Sequence, residues 1–313
     1  MPIRHLLSIN DLDPSELTYL VERGVHHGRE RTRAAETLRG MAVGIWFRKT
    51  STRTRTSFTV GSARLGATPV AYGPADLQTN TGETVEDTAR VLAGFLDALV
   101  LRSAGPVAEM RTLAAQNRMA VVNAMSENEH PTQALADLTT MLEHFGRLRG
   151  LHVLYAGEGN NSAAALALAI GRLPGMRLTL LTPPGYGLAA DTLAQARAFA
   201  RESGSSVEER HDTESVPRGV DVVYTTRWQT TGTTKPDPEW RTTFEPFSVT
   251  DALMEHAAGP RGVFMHDLPA HRGEEVHASV LDGPRSIALR QAENKLYSAM
   301  SVLEWCVVGP RSG

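Results

Sequence analysis

Short apolar runs alternate with amphipathic helical segments along most of this chain, and this alternation limits its fold more than any other feature. The predicted strands form a first series at residues 41–47, 68–72, 98–102 and 120–123, and a second at 151–156, 177–181, 220–225 and 263–266. The runs are continuously apolar, as in parallel strands that helices cover on both faces. The sequence therefore predicts an α/β protein of two doubly wound parallel-sheet domains with a cleft between them.

Helical patterns occupy the intervals between these strands. They lie at about residues 13–31, 52–65, 85–96, 107–116, from Pro131 onward, 162–173, 189–203, 251–257 and 291–307. The 313 residues suffice for two domains with full cores. We predict a first domain at residues 1–146 and a second at 147–290, and we predict that residues 291–313 form a C-terminal helix packing back on the first domain.

Composition and charge exclude several classes of function. A net charge of −3 gives no electrostatic reason to expect nucleic acid or a membrane surface as a partner. Cys306 is the one cysteine, which excludes a disulfide framework, and the eleven histidines do not pair with carboxylates at metal-ligand spacing. The N-terminal segment lacks a hydrophobic leader, and no apolar run approaches a membrane span. We expect a cytoplasmic protein that uses no metal and no cofactor.

The run Ser51-Thr52-Arg53-Thr54-Arg55-Thr56-Ser57 joins a predicted strand to a predicted helix. A hydroxyl-rich turn at a helix N-terminus binds anions, because backbone N–H groups, the helix dipole and guanidinium groups all converge there. The alternative is an N-cap at Ser51 or Thr52 followed by solvated arginines. Five hydroxyls and two arginines exceed what a cap requires, so the pattern favours a phosphate site. No Gly-Lys-Ser/Thr loop is present, so it is not a Walker A motif.

Other polar clusters also follow predicted strands. They are Arg102 at the end of 98–102, HPTQ (130–133) after 120–123, GEGNN (157–161) after 151–156, Thr226-Arg227 after 220–225, and HDLP (266–269) after 263–266. Ligands of open α/β sheets bind at the carboxyl ends of the strands. These clusters therefore predict one binding region, with the cleft as the natural meeting point.

The segments FRKTSTRTRTSF, HPTQALADL and HDLPAHRGEEV, together with Arg102, resemble the aspartate/ornithine carbamoyltransferase family in order and spacing. The resemblance covers essentially the whole chain, and DTARVLAGFLDALVLR, GEGNN and LPAHRGEEV are most similar to the ornithine branch. It implies transfer of a carbamoyl group from carbamoyl phosphate to an amine, in a homotrimer with active sites at subunit borders.

The resemblance also implies which residues bind the donor. These are Ser51, Thr52, Arg53, Thr54, Gln78, Arg102, His130, Gln133, Leu268 and Lys295. The run from Ser51 to Thr54 would hold the phosphate, and Arg102, His130 and Gln133 would surround the carbamoyl group as catalytic residues. Gln78 would reach in from a neighbouring subunit, or else be a solvated loop amide. Outside this context, His130 would more often be a cap or core residue. No nucleophilic triad is visible, so we expect direct attack by the amine.

By the same match, the acceptor would contact Asn161, Thr226, Arg227, Thr230, Thr231 and Asp267. Here the chain departs from the ornithine enzymes. Thr226 replaces an aspartate, Thr230-Thr231 a Ser-Met pair, and Asp267 a cysteine, and Lys295 replaces an arginine. Arg227 is placed to bind a carboxylate, or else is solvated. Asp267 would hold or deprotonate the acceptor's ammonium, or else pair structurally with Lys295 or Arg272.

The sequence therefore predicts an ornithine carbamoyltransferase-like transferase. One alternative keeps the chemistry and changes the acceptor to 2,3-diaminopropionate or another diamine or amino acid. Another is a catalytically silent regulatory paralogue. A nicotinamide-dependent enzyme is suggested only by Gly157-Glu158-Gly159, and the next predicted strand ends in Leu180-Leu181-Thr182 without the acidic residue that binds ribose.

Overall fold

Within the described part of the chain, the first sheet has four strands, and all of them are parallel. They are β1 (Ala42–Phe47), β2 (Thr68–Tyr72), β3 (Ala98–Arg102) and β4 (Ala120–Asn123), in the spatial order β2-β1-β3-β4. β3 and β4 are buried along their whole length, which explains their continuously apolar sequences. The strand order reverses between β1 and β3, where Phe47 pairs with Arg102. That reversal is the usual place for a ligand in such sheets.

The second sheet has five parallel strands among the residues that the structure describes. They are β5 (His152–Ala156), β6 (Arg177–Leu181), β7 (Ser206–Arg210), β8 (Val220–Thr225) and β9 (Ala258–His266), in the order β7-β6-β5-β8-β9. Here the order reverses between β5 and β8, where Ala156 pairs with Thr225. Thr225 in turn pairs with His266 of β9. The carboxyl ends of β5, β8 and β9 therefore lie side by side.

Helices precede β1, follow β9 and connect all consecutive strands except β7 and β8. They are α1 (Pro14–Glu30), α2 (Arg53–Arg64), α3 (Val85–Leu92), α4 (Val107–Ala114), α5 (Pro131–Phe145), α6 (Asn161–Arg172), α7 (Ala190–Ser203), α8 (Trp240–Phe244), α9 (Asp251–Ala257), α10 (Ala278–Leu281) and α11 (Ala288–Val307). The computed structural model describes residues 3–30, 36–230 and 233–310. Within those ranges, no helix has both the length and the apolar character needed to cross a membrane.

Each sheet belongs to its own compact unit. One unit comprises Met1–Leu142 with Glu293–Gly313, and the other comprises Glu143–Ala292. The prediction of two parallel-sheet α/β domains is therefore confirmed. The strand β7 was not predicted, because its sequence SVEER is mostly polar and the strand lies at a sheet edge with little burial.

The C-terminal helix α11 returns to the first unit, as predicted. The Ser301 hydroxyl donates to the carbonyl of Leu20 in α1 at 2.7 Å. Glu304, only 2% exposed, accepts hydrogen bonds from Arg23 Nε at 2.7 Å and from His27 Nε2 at 2.9 Å. It also accepts one from the hydroxyl of Thr37 at 2.9 Å. Burial raises the pKa of Glu304, but the hydrogen bonds from His27 and Arg23 outweigh it and lower that pKa to about 2.

Candidate active site

The hydroxyl-rich run follows β1 and leads directly into α2, which begins at Arg53. Thr52 occupies the N-cap position, but its backbone is helical and its side chain makes no capping hydrogen bond. The alternative interpretation of Thr52 as an ordinary N-cap is therefore wrong. The N–H groups of the first turn lack that side-chain acceptor, and such groups bind anions. Ser51 and Arg53 are half-buried, Thr54 is buried and Thr52 is exposed.

His130 is buried, and two cations lower its pKa further. It lies between β4 and α5, and burial lowers its pKa well below the usual value, with the positive charges of Lys295 and then Arg102 adding to the effect. The imidazole is therefore neutral. Its Nδ1 lies 3.2 Å from the hydroxyl of Thr132, which can donate to it. In that tautomer the ring proton is on Nε2, and His130 is a neutral hydrogen-bond donor.

Gln133 lies one helical turn beyond His130 and is buried. Its side-chain Nε2 donates to Asp137 Oδ1 at 2.7 Å. This bond fixes the orientation of the amide, whose oxygen is an acceptor suited to an N–H group of a ligand. The structure thus gathers Arg102, His130 and Lys295, with Gln133 on the adjoining turn.

Sequence reasoning missed the residues that shape the loop before His130. The Glu129 carboxylate is buried, and it accepts hydrogen bonds from the Ser8 hydroxyl at 2.5 Å and from the Ile9 N–H at 2.6 Å. Burial raises the pKa of Glu129 to about 7 in spite of these two donors. The N-terminal segment therefore holds the residue that precedes His130. No local sequence signal could have found this contact, which joins residues about 120 positions apart.

Gln78 lies away from these groups in the sequence and is exposed, in a short 3-10 helix formed by Gln78–Thr81. Its side-chain oxygen accepts a hydrogen bond from the Thr81 hydroxyl at 2.7 Å. Exposure suits both a residue that serves a neighbouring subunit and a solvated amide, so its role stays a prediction.

Asp267 lies at the end of β9, and its side chain is 13% exposed. Its Oδ1 accepts a hydrogen bond from the Thr226 hydroxyl at 2.9 Å, and its Oδ2 accepts one from the Ser162 hydroxyl at 3.0 Å. The predicted structural pairing of Asp267 with Arg272 is wrong, because Arg272 forms a bidentate ion pair with Asp282 at 2.6 and 2.8 Å. Ser162 was not predicted, although its place in the first turn after GEGNN was a usable signal.

The turn after β5 caps the N-terminus of α6, the helix whose Ser162 contacts Asp267. The side-chain oxygen of Asn160 accepts hydrogen bonds from the N–H groups of Ser162 at 2.9 Å and Ala163 at 3.1 Å, and so caps the helix. Asn161 is buried in the first turn. Gly159 allows the chain to pass close to Leu188, since a Cβ atom on it would come within 2.4 Å of that backbone nitrogen.

The other predicted acceptor residues differ in their burial and in their contacts. Arg227 is half-buried and forms no ion pair with any described residue. The Thr230 hydroxyl donates a hydrogen bond to Glu158 Oε2 at 3.2 Å, and Thr231 lies outside the described residues.

Leu268, which was predicted to bind the donor, has a left-handed backbone with φ of 55°. Its N–H donates to His266 Nδ1 at 2.8 Å, so the ring proton of His266 lies on Nε2, facing Glu275 at 3.2 Å. A left-handed leucine held in this way is typical of functional sites.

In comparisons with known proteins, the two halves of the chain match two domain models of one protein family. The family model "Aspartate/ornithine carbamoyltransferase, carbamoyl-P binding domain" matches residues 4–143, and "Aspartate/ornithine carbamoyltransferase, Asp/Orn binding domain" matches residues 149–306. Ornithine carbamoyltransferase of Acidothermus cellulolyticus is 40% identical over 303 residues, which cover 97% of this chain and 96% of that protein. The solved ornithine carbamoyltransferase of Pyrococcus furiosus is 37% identical, with a TM-score of 0.92 and coverage of 98% of each chain. The chain belongs to the aspartate/ornithine carbamoyltransferase family.

Proposed function

We propose that this protein transfers the carbamoyl group of carbamoyl phosphate to the amine of an amino acid and releases phosphate. The observation that carries the proposal is the neutral, buried His130 beside the cations Arg102 and Lys295. A reacting carbonyl needs such an arrangement, because attack places negative charge on its oxygen. The family assignment and the uncapped start of α2 support the same donor.

In the proposed reaction, Ser51, Thr52, Arg53 and Thr54 bind the phosphate at the N-terminus of α2. Arg102 and the Nε2–H of His130 donate to the carbamoyl oxygen, and the Gln133 oxygen accepts from the carbamoyl amide. The lone pair of the acceptor amine attacks the carbonyl carbon. The bond between that carbon and the phosphate oxygen then breaks, and the departing phosphate takes the proton released by the amine. Orientation and electrostatic stabilisation supply the rate without a covalent intermediate.

We propose that Asp267 holds the acceptor's ammonium. Both of its oxygens accept hydroxyl hydrogen bonds, which fix the carboxylate and leave lone pairs for an ammonium. Arg227 is the matching cation for the acceptor's carboxylate, and Asn161, Thr230 and Thr231 complete the site. One anion and one cation suit a zwitterionic α-amino acid that carries a second, nucleophilic amine. Ornithine fits this description, and so does a shorter acceptor such as 2,3-diaminopropionate.

An acceptor panel tests the proposal. Phosphate release from carbamoyl phosphate is measured with ornithine, 2,3-diaminopropionate, 2,4-diaminobutyrate, lysine, putrescine, N-acetylornithine and aspartate. We expect turnover with a diamino acid and little with putrescine, which lacks the carboxylate that Arg227 would bind. No turnover with any amine, together with measurable binding of carbamoyl phosphate, would instead support the silent paralogue.

We further propose a homotrimer in which Gln78 completes the active site of a neighbouring subunit, and a cytoplasmic location. The exposure of Gln78 on the first unit is compatible with the shared site. Light scattering on the purified protein tests the assembly.

A further inference from the structure

Lys235 lies in an aromatic cage within the second unit. Its ammonium is 4.7 Å from the ring centre of Tyr186, 4.8 Å from that of Phe244 and 5.2 Å from that of Trp240. Its side chain is only 4% exposed. The faces of aromatic rings attract a cation, and more strongly when water is excluded. A lysine buried this deeply also requires a compensating negative charge.

Glu158, in the turn after β5, supplies that charge. One carboxylate oxygen forms an ion pair with Lys235, and the other accepts the hydroxyl hydrogen bond of Thr230 at 3.2 Å. The backbone carbonyl of Glu158 accepts hydrogen bonds from the Tyr155 hydroxyl at 2.6 Å and the Asn160 N–H at 2.8 Å. Glu158 is therefore tied to β5 and to the cap of α6. Two residues of the segment after β8, Thr230 and Lys235, therefore both contact Glu158 in the turn after β5.

Hydrogen bonds join Thr233, which lies between Thr230 and Lys235 in the sequence, to Gln229 and Thr230. The Thr230 carbonyl accepts from the N–H of Thr233 at 3.1 Å and from its hydroxyl at 2.8 Å. The side chain of Gln229 donates to the Thr233 carbonyl at 2.8 Å. At the start of the segment, Thr226 donates to Asp267. The path from Thr226 to Thr230, which includes Arg227, is thus held at one end by Asp267 and at the other by the pair of Lys235 and Glu158.

We propose that Lys235 is a positioning residue that sets acceptor affinity by fastening residues 226–230 to the turn at Glu158. The inference rests on the proposed function and deepens it. Lys235 also neutralises Glu158, so Asp267 is left as the carboxylate that an acceptor ammonium meets. Without Lys235, Glu158 becomes a second anion near the site, and of its described contacts with Glu158 the segment that carries Arg227 keeps only the hydrogen bond of Thr230.

Kinetics of Lys235→Met test this role, because methionine keeps the apolar length and removes the charge. We expect the acceptor KM to rise by about tenfold, as for a lost binding contact, while the KM for carbamoyl phosphate stays unchanged. Lys235→Arg keeps a cation that can stack on the cage and is expected to restore most of the affinity. Arg201→Met is the matched control, because Arg201 is an exposed cation on α7 in the same unit. It is expected to leave both KM values unchanged.

A substrate-independent readout separates this inference from the proposed function. Hydrogen exchange at residues 226–230 is expected to be faster in Lys235→Met than in wild type or Arg201→Met, whether or not any amine is turned over. If Lys235→Met does not fold, Glu158→Gln tests the same pair and is expected to raise the acceptor KM and the exchange rate alike. Unchanged exchange and unchanged acceptor KM would overturn the proposal. So would a lower acceptor KM, since Lys235 would then be occupying the acceptor's own ammonium site.

Discussion

Glu304 offers a quantitative test of how the C-terminal helix is held in the first unit. The change is Glu304→Gln, which keeps the size of the side chain and removes its charge. The carboxylate is 2% exposed and faces Arg23 and His27. In the variant, the guanidinium of Arg23 stays partly buried against a neutral amide. Breaking one side of a buried ion pair costs more than the pair contributes, because a charge is left without compensation.

The size of the effect follows from the pKa of Glu304. A fall from 4.5 to about 2 corresponds to roughly 3 kcal/mol of stability at neutral pH. Arg23 is 21% exposed, so solvent screens part of this interaction, and we expect Glu304→Gln to lose about 2–3 kcal/mol. Because the folded-state pKa is depressed, this stability is present above pH 4.5 and is lost as the pH falls toward 2. The difference between variant and wild type must therefore shrink in acid.

Urea unfolding followed by tryptophan fluorescence measures the loss at pH 7, 5 and 3.5. At pH 7 the midpoint is expected to fall by about 1 M, given typical urea dependences. Glu30→Gln is the matched control, since Glu30 is 42% exposed in its ion pair with His26, and it is expected to change stability by less than about 0.5 kcal/mol. A loss that is the same at pH 7 and pH 3.5, or no larger than that of the control, would refute the reasoning.

Three further predictions concern the proposed site. Arg53→Ala is expected to abolish turnover with every acceptor, and mixing its subunits with those of Gln78→Ala, after dissociation and reassembly, is expected to restore part of the activity. No recovery in reassembled mixtures would contradict a shared site. His130→Ala is expected to lower kcat by about 10²–10³-fold, as for an oxyanion donor. The wild-type pH profile from 5.5 to 8 is expected to show no ionisation of His130. A histidine-like ionisation that is present in the wild type and absent in this variant would count against a neutral donor. Asp267→Cys is expected to change the ranking of acceptors in the panel, and an unchanged ranking would argue against contact with the acceptor.

Much of the fold could be predicted because parallel strands buried on both faces have apolar runs. β3 and β4 are examples, and both were predicted at the bounds that the structure has. β7 was missed because an edge strand does not need a continuously apolar sequence. Its residues Ser206–Arg210 pair with Arg177–Leu181 of β6, and this pairing makes the segment a strand.

The site was predictable to the extent that polar residues follow strands in the sequence. Arg102, His130 and Asp267 were predicted as site residues in this way, and these roles stay predictions. Their partners were not, because contacts between distant residues leave no local pattern. Ser162 donates a hydrogen bond to Asp267 across about a hundred residues, and Arg272, one of the alternative partners considered for Asp267, pairs with Asp282. Predicting these contacts requires the sheet order, which brings the ends of β5, β8 and β9 together.

The return of α11 to the first unit has a consequence for the order in which the chain is made. The second unit, Glu143–Ala292, is one continuous stretch, whereas the first needs both Met1–Leu142 and Glu293–Gly313. During synthesis the second unit is therefore complete while the first still lacks a helix, the reverse of the usual N-terminal-first order. A ribosome that stopped after Ala292 would release a chain in which Arg23 and His27 have no Glu304. The contacts of Glu304 with Arg23 and His27 can therefore form only after α11 has been synthesised.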